Sequence, residues 1–219
     1  MSIAIAVAPE LASRVRLGIA VIEGVAVRAA DSALAAEIAS TAEDLRRRHG
    51  GVASGDVPGV EEARALYKAF GIDPTKTRPS NEALLRRVLK GDALYTVNTL
   101  VDALNLSSVR EQMPFGLYDL GRIAPPVELR RGRPGESYEG IRKAAVNVEG
   151  RPVLSDAQGA FGNPTSDSAR TMITLETKSA LVVAYASAAA AARVQGILER
   201  TAATLMRYSG GTLAELRVL

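Results

Sequence analysis

Two amphipathic stretches stand side by side between Pro74 and Ile123, closed at both ends by prolines and glycines. In the first, Leu84, Leu85, Val88 and Leu89 recur at the helical period, and Arg86, Arg87 and Lys90 fall on the opposite face. Ser80 is a good N-cap and Gly91 a natural stop. The loop before it, held by Pro74 and Pro79, adds Lys76 and Arg78. The second helix is predicted from about Thr96 to Glu111, with Val97, Leu100, Val101 and Leu104 on one face. Asn98, Asp102 and Asn105 form a polar stripe beside them. Gln112–Asp119 reads as a turn, in which Gly116 either permits a close backbone approach or is simply a turn glycine. The rest of the chain reads as scaffold for this stretch.

The scaffold alternates strand and helix signals. Ile3–Val7 suggests a short strand, and Val15–Arg28 a long half-buried one, broken at Gly24. Asp31 or Ser32 caps a helix whose apolar face is Leu34, Ile38, Ala42 and Leu45; Arg46, Arg47, Arg48 and His49 close it near Gly50. A further helix runs from Val60 to Phe70. Val127–Arg131, Ala144–Leu154, Arg170–Glu176 and Ala180–Tyr185 read as strands, and Ala188–Tyr208 as a closing helix. At 219 residues, with no evident linker or repeat, the chain fits a single domain over 1–219.

Composition removes several chemistries. With no Cys there are no thiolate nucleophiles, disulfides or Cys-based zinc sites, and the one His, His49, rules out a His-rich metal site. No metal or cofactor is expected. No run of about 18 apolar residues exists to span a bilayer, and Ser2–Leu11 lacks a basic region before its apolar run, so a soluble, cytoplasmic protein without a membrane partner is expected. The net charge of +3 is weak, so clustering matters more than the total.

Three features leave two readings each. The face of Lys76, Arg78, Arg86, Arg87 and Lys90 suits phosphate oxygens, or is an ordinary exposed face. The Asn98–Asp102–Asn105 stripe lines a pocket, or caps neighbouring loops. Glu176, beside apolar residues, is an edge-strand surface group or a pocket ligand. The glycine-rich Asp156–Asn163 lacks both GxGxxG spacing and a P-loop ending, so it is not read as a nucleotide loop.

The segments KTRPSNEALLRRVLKG, VNTLVDALNL and MPFGLYDL, in this order, resemble the B3/B4 domain of the phenylalanyl-tRNA synthetase beta subunit, and most closely its free-standing relatives. The resemblance covers about Pro74–Tyr185, with the N-terminal elements and the C-terminal helix completing the domain. It implies an α+β fold of layered, mostly antiparallel sheets flanked by helices. The domain in the synthetase hydrolyses a wrong amino acid from tRNA. The helix asparagine of that site matches Asn105, the strand glutamate that reads the amino acid matches Glu176, and the glycine-rich wall falls near Gly159–Gly162. Leu104 stands where the synthetase has threonine, and Gly116 where it has the editing histidine.

The resemblance therefore implies a trans-acting deacylase for the aminoacylated acceptor end of tRNA, a hydrolase in translation quality control. Asn105, Asp102 and the Gly116 backbone would serve the reaction; Glu176, Asn98 and Gly159 would hold the substrate; Lys76, Arg78, Arg86, Arg87 and Lys90 would grip the RNA backbone. Two alternatives remain open: a non-catalytic binder of tRNA or an amino acid, and a small-molecule protein reusing the pocket. Amino acid, tRNA and oligomeric state are left undetermined.

Overall fold

Among residues 3–142 and 144–219, which the computed structural model describes, ten strands and five helices follow one another. They are β1 (Ile5–Val7), β2 (Val15–Glu23), α1 (Ser32–His49), α2 (Val60–Ala69), α3 (Ser80–Leu89), α4 (Thr99–Glu111), β3 (Phe115–Asp119), β4 (Val127–Arg131), β5 (Ser137–Glu139), β6 (Ala145–Asn147), β7 (Pro152–Asp156), β8 (Gly159–Gly162), β9 (Ser179–Ser187), α5 (Ala191–Ser209) and β10 (Thr212–Val218). This is the expected α+β class.

The central sheet is antiparallel, in the order β10-β2-β9-β3. On one face Ala20, Ile22, Val182 and Ala184 pack against Leu100, Ala103 and Leu104 of α4 and Val194, Ile197 and Leu198 of α5. On the other, Leu17, Ile19, Val21, Leu181 and Val183 meet Val127, Leu129, Leu154 and Phe161 of a second sheet, β1-β4-β7-β8, whose β1 and β4 run parallel. The layers are thus helix, sheet, sheet, with α1, α2, α3 and α4 sharing a further apolar cluster around Leu45, Val60, Leu85 and Val109. A β5–β6 hairpin pairs separately.

Burial on both faces is what the half-buried reading of Val15–Arg28 missed. Gly18 is small where α5 lies on the strand: a Cβ there would stand 2.7 Å from Val194 Cγ1. The strand ends at Glu23, and Gly24 at φ 71° turns the chain out of it.

Other boundaries move for local reasons. Asp31 caps α1 by accepting from Leu34 N–H at 2.9 Å. Ser80 is not the cap of α3 but its first residue, with Pro79 in the cap position. Asn98 caps α4, accepting from Val101 N–H at 3.0 Å, so that helix starts at Thr99. Phe115–Asp119 is no turn: it is the edge strand β3, paired with β9. Ala144–Leu154 splits into β6 and β7. Arg170–Glu176 is not a strand; a 3-10 turn at Ala169–Thr171 leads into a loop in which Thr177 Oγ1 accepts from Thr174 N–H. The chain closes with β10, which the sequence pattern does not announce.

Candidate functional site

Between α4, β3 and the chain at 163–175 lies a cavity of about 1150 Å³. The helical period of α4 sends Val101, Leu104, Asn105 and Ser108 toward it, below the cap residue Asn98. Strand alternation sends Phe115 and Leu117 toward the same space. Ser80 and Leu84 close it from α3, and Ile173 and Leu175 from the loop before β9. Tyr95, Val97, Ile141 and Leu175 remain exposed where they border it.

The floor segment, 163–168, is held from several sides. Pro164 C=O accepts from Ser80 N–H at 3.1 Å. Thr165 Oγ1 donates to Arg78 C=O at 3.3 Å and shares a short hydrogen bond with the Tyr67 hydroxyl. Asn163 Oδ1 accepts from Thr165 and Ser166 N–H, and its amide nitrogen donates to the Tyr138 hydroxyl. Behind it the Tyr118 and Tyr185 hydroxyls join at 2.7 Å. Such a lattice fixes an irregular segment that a helix or sheet would otherwise have to support.

Asp167 is the titratable group of this floor. It borders the cavity, and Leu117 N–H reaches its Oδ2 at a long 3.5 Å. Its Oδ1 is buried without a hydrogen-bond partner, and the residue forms no salt bridge among the described residues. Burial dominates, and pushes its carboxyl up to about 7 against the smaller opposing pull of the Tyr118 hydroxyl and the Leu117 amide. The sequence did not single it out, because the run NPTSDSAR carries no local sign that one carboxylate is buried. Tyr95 and the cavity side of Ser80 were missed likewise; the Ser80 hydroxyl has no hydrogen-bond partner among the described residues.

The sequence-derived residues divide. Asn98 and Asn105 border the cavity, and the Asn105 amide makes no hydrogen bond among the described residues. Asp102 lies off it, bordering a smaller groove, and its Oδ1 accepts from Val97 N–H at 2.9 Å. Gly116 is buried on the opposite face of β3. A Cβ there would fall on the Tyr118 hydroxyl, and so would one on Gly162, so two glycines make the slot for the Tyr118 ring. Gly159 sits at the β7–β8 turn at φ 118°, away from both cavities. Glu176 is exposed in the loop after Leu175 and borders neither cavity. Gly116 and Gly159 are thus not where an ester in this cavity would find oxyanion donors.

The basic face also divides. Lys76, Arg86 and Lys90 make no salt bridge among the described residues. Arg78 instead stands 3.5 Å from the fully buried Glu82, which also accepts two hydrogen bonds of 2.7 Å from Arg64. Arg87 Nε donates to Ala93 C=O in a short hydrogen bond, and its guanidinium lies 4.3 Å from the centre of the Tyr95 ring. Through Arg87 and Tyr95 the basic helix reaches the rim of the cavity. His49 ends α1 and borders neither cavity. No group of three or more His, Cys, Asp or Glu able to hold a metal occurs among the described residues, and no helix there is long and apolar enough to cross a membrane.

The family model described as "B3/4 domain" matches residues 62–209, more than half of the chain and all of the cavity's α4, β3 and floor. Among solved structures, an N-terminal fragment of the phenylalanyl-tRNA synthetase beta-subunit from Pyrococcus horikoshii matches at 14% identity and a TM-score of 0.47, over 100% of this chain and 50% of that one. The chain therefore spans about half the length of that fragment. No curated protein matches the sequence.

Proposed function

The chain belongs to the B3/4 domain family, and on that footing we propose that it is a trans-acting deacylase that removes a mischarged amino acid from tRNA. The observation that carries this reading is the junction of two features. A cavity of about 1150 Å³, mostly apolar but bordered by the unpartnered Asn105 amide, opens beside a helix whose cations Arg86 and Lys90 have no salt bridge among the described residues. The first suits an aminoacyl group and the second the phosphates of the acceptor end.

The reaction asks little covalent chemistry of the protein. An aminoacyl ester is already activated, so the site needs to hold it, orient a water and exclude competing solvent. Asn105 can orient either the water or the amino group. Leu104, Phe115 and Leu117 pack the side chain. The vicinal ribose hydroxyl of the substrate assists proton transfer, which matches a site without Cys or His. Asp167 stays behind the ester as a buried acid beside Leu117.

A panel of tRNAs mischarged with small and aromatic amino acids tests this reading. Hydrolysis of at least one above the buffer rate, lowered about tenfold or more by Asn105→Ala, is expected; each tenfold is about 1.4 kcal/mol of transition-state stabilisation. Hydrolysis no faster than buffer across the panel contradicts it. Tight, salt-sensitive binding of charged tRNA without hydrolysis would support a holding protein instead, a reading favoured by Leu104 and Gly116 standing where the synthetase has threonine and the editing histidine.

A further inference from the structure

A second cavity, about 310 Å³, runs along α1 and shares Tyr95 and Thr96 with the large one. Its floor is built of small side chains: Ala35, Ala39 and Ala42 fall on one helical face beside Leu34 and Ile38. Three- and four-residue spacing without bulk leaves a flat apolar strip. Opposite it runs the chain from Ala93 to Thr96, from which Tyr95 stands 58% exposed. Arg87 stacks on that ring at 4.3 Å and holds it in place, although a tyrosine so open has no core to pack in.

The charges of this groove are sorted. Asp31 is engaged by Leu34 N–H and by Arg28 at 2.7 Å, and Asp102 by Val97 N–H. Arg47 and Arg48 both pair with Asp44. The Arg46 side chain, which borders the groove, has neither salt bridge nor hydrogen bond among the described residues. The groove thus offers a flat apolar floor, one exposed aromatic ring and a free cation. Those are the requirements of a nucleobase with its phosphate, since every base has a π-face and a guanidinium meets phosphate oxygens bidentately.

We propose that this groove seats the 3′-terminal base of an RNA, stacked on Tyr95, and that the Tyr95–Thr96 wall then directs the ester on its ribose into the large cavity. This rests on the deacylase reading for the identity of the RNA, but the base seat itself does not. It also gives the connection between α3 and α4 a role, since the base would be fixed by the same residues that separate the two cavities.

A short RNA ending in CCA, with 2-aminopurine replacing the terminal adenine, tests the seat without any hydrolysis. Binding is expected to quench the fluorescence by stacking. Tyr95→Ala should abolish the quench and weaken binding about tenfold, as loss of a base–aromatic stack does, and Tyr95→Trp should keep both. Ala39→Phe should block the groove; Ala39 is exposed, so the larger ring reaches no core. Bound RNA with unquenched fluorescence, or equal affinity for Tyr95→Ala, overturns the seat while leaving the large cavity's reading untouched. Tyr95-dependent quenching of 2-aminopurine ribonucleotide monophosphate without any RNA binding overturns the RNA seat and makes the groove a site for a free nucleotide. Failure of wild-type protein to bind either probe overturns the proposal.

Discussion

Asp167 has a carboxylate in surroundings that favour its neutral form, and the consequence is measurable. Its folded-state value of about 7 lies above the ordinary 3.8, so between those values the folded protein holds a proton that the unfolded chain has lost. Stability therefore falls as pH rises through that window, by up to about 1.4 kcal/mol per unit, and levels off above the folded value. Asp167→Asn, which keeps the shape without the charge, should show a smaller fall in chemical-denaturation midpoint between about pH 4 and 8; an identical pH profile for both proteins would mean that the group is solvated. Gly116 is the second residue whose role the structure changes. The sequence points to a reaction site there, but the Tyr118 ring occupies the space its side chain would need. Gly116→Ala should lower stability by about 1–3 kcal/mol through overpacking, read as a lower unfolding midpoint, whereas an open catalytic glycine would accept the methyl with little change. Neither effect is written locally in the sequence, because both depend on distant parts of the chain: Gly162 for one, the β3 edge for the other.

Among the elements, the helices were legible and the edges were not. The apolar periods of α1, α2, α3 and α5 gave their extents to within a few residues, since each buries a single stripe. β3 reads as a turn in sequence because Pro114 and Gly116 outweigh Phe115, Leu117 and Tyr118; the pairing partner that decides the matter, β9, lies far along the chain. Arg170–Glu176 gives the opposite error, an alternating pattern with no strand to pair with. α3 carries a test of its own. Its basic face is visible in sequence, but the involvement of Arg78 with Glu82 and of Arg87 with Tyr95 is not. Replacing Lys76, Arg86 and Lys90 together with Ala should weaken RNA binding and flatten its dependence on salt, by about 0.7–0.9 in the log–log slope for each phosphate no longer neutralised. An unchanged slope would return these residues to the ordinary exposed face.

Across the whole molecule, irregular connections lie outside the three layers: the large cavity borders the segment 163–175, and both cavities border Tyr95 and Thr96. The central sheet is covered by α4 and α5 on one side and by the second sheet on the other, so the large cavity lies against its β3 edge and the smaller one farther out, along α1. The class of fold and the polar helix at the site were readable in the sequence. The remaining walls of the cavity, from 163–175, were not, because loops acquire their positions from partners such as Tyr67, Tyr138 and Ser80. On the deacylase proposal the large cavity receives the aminoacyl group of a charged tRNA. The direct measure is the affinity for a tRNA carrying an amide-linked, non-hydrolysable amino acid against that for the same tRNA uncharged. Charged tRNA is expected to bind about tenfold more tightly, worth about 1.4 kcal/mol, with the difference erased by Leu84→Trp, which fills the cavity from α3. Equal affinity of wild-type protein for the two tRNAs, whichever amino acid is attached, would mean that the cavity does not receive that group.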